Sequence, residues 1–271
     1  MSSIEELKIV RLYRAYNTII QMCMDHGCSV RHPSVVAQAI RDPQFYSDED
    51  GLDYDWFQRH FVVQQAPGAV DDEEEEQREV QARRGSQHQQ QQQRWCAMRG
   101  AMRLVCSTSG DDATGDSSEK GRPLLVFFSA SPSLSMGEVQ EYRDKALQKG
   151  ACRMIVVVAG KISHVVRRGT RELSGRLRVG TTEEVMSIQL FEEDALACNI
   201  ARHETVPPHV ALSPAEAQAF LQSRKLTLSQ LPRILDEDPM VAYLGLSRGS
   251  IVRIQRETKE SGPYEMYRQV I

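Results

Sequence analysis

"LPRILDEDPMVAYLGLSRGSIVRIQRE", residues 231–257, is the most sharply specified run in the chain. Asp238-Pro239 puts a side-chain cap next to a ring-locked φ, which predicts the start of one short helix. Gly245 stops that helix, because glycine enters the left-handed region without steric penalty. Ser247 to Gly249 predict a turn. Ile251 to Arg256 and Tyr264 to Val270 then alternate apolar and polar residues around Ser261-Gly262-Pro263, as in an antiparallel hairpin. Just upstream, Ser213-Pro214-Ala215-Glu216 combines an N-cap, a proline at the first helical position and an acid at the third. These signals predict a small mixed α/β domain over 201–271 with a β-hairpin. It is rich in turn residues and arginines, with no obvious nucleophile or metal-ligand set.

The rest of the chain reads as a second unit over 1–200. Ile9, Leu12, Tyr13, Tyr16, Ile19, Ile20 and Cys23 recur at three- and four-residue spacing, which predicts a helix over 4–27. Ser3 with Glu6 has the capping-box spacing, and Gly27 suits the helix end. Residues 32–64 read as further short helices, with aromatic packing residues from Asp55 to Phe61. Met98 to Cys106, Leu124 to Phe128 and Met154 to Ala159 are strand-like. Glu138 to Lys149 and Val185 to Asn199 are helix-like. Strand, helix, strand in that order predicts a crossover and a parallel pair, so the class is α/β (α+β).

Two stretches break this pattern. "APGAVDDEEEEQREVQARRGSQHQQQQQ" (66–93) carries seven acids and three arginines, and so holds the whole net charge of −4. With so little apolar surface to bury, it is expected to be a disordered insertion. "STSGDDATGDSSEKG" (107–121) reads as a flexible loop. Outside the insertion the chain is near neutral, so the acidic balance says nothing against nucleic-acid contact. The opening MSSIEELKIVRLYR is charged within six residues and has no long apolar run, so it is not expected to be a signal peptide. "MIVVVAG" is too short to span a bilayer, so no membrane association is expected. Six irregularly spaced cysteines in 271 residues make no disulfide framework and point to a reducing compartment.

Chemistry is sparse. "CMDHGC" (23–28) offers two thiols and a histidine, but zinc needs about four ligands and no second clustered pair exists. "HETVPPH" (203–209) would need its second histidine four residues after the first, where Pro207 stands. A metal-dependent nuclease would need clustered carboxylates at strand ends, and neither Leu124 to Phe128 nor Met154 to Ala159 supplies one. "KISHVVRRGTRELSGRLR" (161–178) sets Lys161, Arg167, Arg168, Arg171, Arg176 and Arg178 against one acid, Glu172. It is either a solvated face or a sequence-neutral phosphate-tracking surface. No catalytic residue, metal, cofactor or small-molecule substrate is expected.

Residues 203–271 resemble the fifth-largest subunit shared by nuclear RNA polymerases I, II and III. Its C-terminal domain corresponds to one of the small subunits of the archaeal RNA polymerase. The resemblance runs through His203-Glu204, Val206-Pro207, His209, Gln230 to Ile234, Asp238-Pro239, Ala242-Tyr243, Gly245 and Arg248-Gly249. It continues through Val252, Ile254, Arg256, Gly262, Tyr264 and Tyr267-Arg268. "RLYRAYNTIIQMCMDHG" is similar to the family's opening helix.

The family implies a nuclear, non-catalytic polymerase subunit. Its N-terminal jaw domain of nuclease-like topology would lie near downstream DNA, and its C-terminal domain would dock on the largest subunit beside other subunits. Arg233, Asp238, Tyr243, Arg248, Arg256, Tyr264, Tyr267 and Arg268 are then the docking candidates, and the six cations of 161–178 are the DNA-phosphate candidates. Ser247, Lys259-Glu260 and Pro263 depart from the family's residues, and the insertion is extra. The common subunit and a divergent paralogue confined to one polymerase therefore both stay open. An assembly factor and a DNA-processing enzyme with a nuclease-like domain are the alternatives from other classes.

Overall fold

The computed structural model describes residues 3–31, 46–47, 51–65, 94–108, 123–179, 182–258 and 262–271. The insertion expected over 66–93 lies outside them. So does the expected loop, apart from Ser107 and Thr108, and so does the side chain of Ser3 with its capping box.

Helix α1 (Ser3–Asp25) forms over the expected span, and Gly27 takes a left-handed φ of 70° just beyond its end. Of the region expected to hold short helices, the described part is mixed. After β1 (Cys28–Arg31) come the paired strands β2 (Tyr46–Ser47) and β3 (Gly51–Leu52), then helix α2 (Tyr54–Phe61). Asp53 caps α2 by accepting from the Trp56 N–H. Aromatic rings fasten α2 to α1: Tyr16 lies 5.4 Å from Phe61, and Tyr13 lies 5.0 Å from Tyr54. Strands β4 (Val62–Gln65) and β5 (Arg94–Ala97) pair antiparallel, so residues 66–93 connect two hydrogen-bonded strands.

The strand expected over Met98 to Cys106 is shorter and later. A 3-10 turn occupies Arg99–Ala101, and β6 runs Leu104–Thr108. Next come β7 (Pro123–Phe128), α3 (Met136–Gln148), β8 (Arg153–Val158), α4 (His164–Leu173), β9 (Gly175–Val179) and β10 (Thr182–Glu192). They build a six-stranded sheet in the order β1-β6-β7-β8-β10-β9, with β7, β8 and β10 parallel.

The unbroken apolar runs of β7 and β8 follow from having both faces covered. Leu124, Val126, Phe128, Ile155 and Val157 pack towards α1 and α2. Leu125, Phe127, Met154, Val156 and Val158 point the other way, onto Val139 and Ala146 of α3 and Val166 of α4.

One expectation is overturned. Val185 to Asn199 is a strand followed by a 3-10 turn (Glu193–Leu196), not a helix. Many of its residues are good helix formers, but β8 offers an open parallel edge, and pairing there buries Ile188 and Phe191. Burial against the sheet outweighs local preference.

The remaining residues form a four-stranded sheet, ordered β11 (His209–Ala211), β13 (Ile251–Thr258), β14 (Gly262–Val270), β12 (Arg233–Ile234). The β13–β14 hairpin is antiparallel, as its alternation predicts. Helix α5 (Pro214–Arg224) starts with the expected reciprocal cap between Ser213 and Glu216. Asp238 accepts from the Met240 N–H to start α6 (Pro239–Leu244), and Gly245 ends it at φ 67°. Ile234, Val241, Val252, Ile254 and Val270 form this sheet's core.

Candidate functional site

Four of the six basic candidates gather on α4 and the turn that leads into it. Gly160 starts this turn because the backbone passes close to Pro132, where an added Cβ would sit 2.4 Å from the carbonyl oxygen. Ser163 caps α4 by accepting from the Val166 N–H at 3.3 Å. Val166 and Thr170 face inward, which leaves Lys161, Arg168 and Arg171 exposed and Arg167 half-buried.

Each of these four cations has a carboxylate partner within the chain. Lys161 and Arg167 both donate to Glu192 at 2.7 Å. Arg168 reaches Glu172 at 3.3 Å, and Arg171 reaches Glu237 at 2.6 Å. Arg176 and Arg178 lie on β9, with side chains outside the described residues.

Glu192 was invisible as a site residue while its segment read as helix. It ends the third parallel strand, where burial pushes its carboxyl up. Donation from Lys161, the Ile162 N–H and Arg167 outweighs burial and holds it below its ordinary value. Next to it, Glu193 is 2 % exposed and accepts from Arg99 at 2.6 Å. Among the described residues, no three His, Cys, Asp or Glu side chains converge as a metal-ligand set would.

The C-terminal candidates fall into two groups. Arg233, Arg248, Arg256 and Tyr264 are exposed. Arg256 stands directly across the hairpin from Tyr264, and Arg248 bonds to Asp236 at 2.9 Å. The others are engaged internally to different degrees. Asp238 is spent on the α6 cap. Tyr267 stacks on Phe220 of α5 at 4.0 Å and donates to Glu265 at 2.7 Å. Arg268 is half-buried, with its Nε out of contact with solvent.

Tyr243, expected at a docking surface, is 5 % exposed and belongs to the core beneath α1. Its hydroxyl donates to Asp25 and accepts from Asn199 at 3.2 Å. Asn199 also donates to Gln21 at 3.1 Å, and Arg202 donates to the second Asp25 oxygen at 2.6 Å. Burial, then the Asp25 acceptor, pushes the Tyr243 phenol well above its ordinary value. At Asp25 burial pushes upward, but Arg202 and Tyr243 outweigh it and hold the carboxyl low.

These two carboxyls set a pH dependence. Both are held below their ordinary values of 3.8 for Asp25 and 4.5 for Glu192. A depressed carboxyl contributes stability that is whole above its unfolded value and disappears as pH falls through the folded one. Urea midpoints should therefore drop on acidification below about pH 5. Asp25→Asn and Glu192→Gln should each reduce that drop, and a slope unchanged in both would contradict the assignment.

Residues 198–270 match the family model for the RNA polymerase Rpb5 C-terminal domain. The chain is 34 % identical over 145 residues to the Dictyostelium discoideum protein "DNA-directed RNA polymerases I, II, and III subunit rpabc1"; the match spans 54 % of this chain and 70 % of that one. The chain belongs to the Rpb5 family. A second Rpb5 relative, subunit RPABC1 of Caenorhabditis briggsae, is 30 % identical over 148 residues, spanning 55 % of this chain and 66 % of its own. Family membership makes this a polymerase-subunit type of chain, not a stand-alone catalyst. The part that matches the Rpb5 C-terminal model includes Asn199, Arg202 and Tyr243, whereas their partners Gln21 and Asp25 lie on α1.

Proposed function

We propose that this chain is a non-catalytic subunit of a nuclear DNA-directed RNA polymerase, assembled as two domains with separate tasks. Residues 201–271 dock on the largest subunit, and residues 1–200 stand as a jaw beside downstream DNA. The observation that carries the reading is the match of residues 198–270 to the Rpb5 C-terminal domain, which falls on a sheet with its own apolar core. Arg233, Arg248, Arg256 and Tyr264 are the exposed docking anchors. Asp238 and Tyr243 support them from inside the chain.

The Arg256–Tyr264 pair offers the combination that interface hot spots favour, an arginine beside an aromatic ring. Arg256→Glu with Tyr264→Ala in the full chain should reduce recovery of the largest subunit by about tenfold or more, the effect of losing one strong anchor. Undiminished recovery would contradict docking through this pair.

Phosphate contact is assigned to the α4 surface. The pairs of Arg168 with Glu172 and of Arg171 with Glu237 join exposed side chains; such pairs are worth only about 0–1 kcal/mol, so a phosphate can displace those carboxylates. Neutralising three of its arginines, Arg167, Arg168 and Arg171, together should flatten the salt dependence of DNA binding by the assembled enzyme. Each true contact removes about 0.9 from the slope of log affinity against log salt. An unchanged slope would contradict the assignment.

A further inference from the structure

Helix α6 is shared between two cores. Val241 is buried with the strands of the four-stranded sheet, whereas Tyr243, two residues on, is buried beneath α1. Around Tyr243 the two parts of the chain meet closely. Asp25, Asn199, Gln21 and Arg202 form one connected polar network there. Gln189 of β10 donates to the Ala242 carbonyl at 2.9 Å. At Gly245 an added Cβ would stand 3.2 Å from the Arg153 guanidinium.

Beside this point the two sheets are not in full contact, and Gln189, Ala242 and Tyr243 themselves line the gap. A groove of about 870 Å³ opens between α4, β10 and residues 236–248, with Ile188, Leu190 and Leu246 among its apolar lining. Arg171 crosses this groove. It donates to Glu237 at 2.6 Å and stands 3.5 Å from Asp236, which also accepts from Arg248.

The two attachments differ in kind. The one at Tyr243 is buried and built from packing plus hydrogen bonds. The one at Arg171 joins side chains that are 45 % and 60 % exposed, so it is weak and salt-screened. A polar interface with an open groove is the kind about which parts of a chain rotate.

We propose that α6, anchored by Tyr243, is the pivot of a hinge between the two sheets, and that the Arg171 bridge to Asp236 and Glu237 is a releasable strap that limits how far the groove opens. Releasing the strap lets the sheets rotate about Tyr243 while the buried network stays intact. Arg171 also belongs to the helix assigned to DNA phosphates, so a phosphate that takes its guanidinium would widen the groove. That consequence rests on the phosphate reading; the hinge itself does not.

The test needs no DNA. The full chain, with Cys96→Ser and Cys198→Ser, would carry nitroxide labels at Glu141→Cys on α3 and Arg256→Cys on β13. The remaining cysteines are buried. Pulsed electron resonance then reads the distance between the labels. A narrow distribution is expected at low salt. It should shift or broaden by several ångströms in Arg171→Ala, in Glu237→Gln with Asp236→Asn, and at high salt in the unsubstituted strap. Circular dichroism confirms that each variant is folded. A distribution unchanged by both sets of substitutions would overturn the proposal. So would one already broad at low salt that neither set alters.

Discussion

Tyr243→Ala is expected to lower the free energy of unfolding by about 3–5 kcal/mol, the range for deleting a buried aromatic ring. The ring is 5 % exposed and packs among the side chains beneath α1. Its removal leaves a cavity at the place where the two sheets meet. Tyr243→Phe separates packing from hydrogen bonding. It keeps the ring and loses only the hydroxyl, so it should fall at the low end of about 1–3 kcal/mol. Asp25 keeps Arg202 and Asn199 keeps Gln21, which limits the loss. Urea titrations of the full chain check both values. Equal effects from alanine and phenylalanine would mean that packing at Tyr243 contributes nothing.

Arg99→Ala should be comparably damaging, at about 3–5 kcal/mol, because it strands a carboxylate. The side chain of Glu193 is 3 % exposed, and Arg99 reaches it at 2.6 Å. The pair ties the 3-10 turn before β6 to the end of β10, next to Asp194, which holds Arg11 of α1 at 2.9 Å. Replacing both partners, Arg99→Met with Glu193→Met, should recover most of the loss, since an apolar pair leaves no charge buried. If the double substitution is as unstable as the single one, the defect lies in packing and not in the stranded charge.

Local punctuation was legible wherever the chain itself supplies the partner. Asp238 caps its own helix, Ser213 and Glu216 satisfy each other, and Gly245 and Gly249 occupy left-handed positions at φ 67° and 93°. The parallel pairing of β7 with β8 followed from strand, helix, strand order. The neighbouring strand β10 did not read as a strand. "EEVMSIQLFEEDALACN" has glutamates, leucines and alanines that suit a helix, and pairing with β8 and β9 makes its first part a strand.

That one misreading hid two acids. Glu192 and Glu193 read as helix-face residues, when Glu192 ends a parallel strand and Glu193 opens the 3-10 turn after it. The cations of α4 were visible as a run, but their partners were not, because Glu192 lies 25 residues beyond Arg167 and Glu237 lies 66 beyond Arg171. The Asp25–Tyr243 contact spans 218 residues and has no local signature at all. Tyr243 stood out as a family residue, while its burial followed from a helix too short to have a single core-facing stripe. Its two sides serve two cores.

Membership of a polymerase is tested most directly by purifying the tagged full chain from nuclear extract and measuring its stoichiometric partners by mass spectrometry. The large subunits of at least one RNA polymerase should be recovered at one copy each per copy of this chain. Those of all three would identify the common subunit, and those of one would identify a dedicated paralogue. Recovery of the chain with no polymerase large subunit would contradict the assignment.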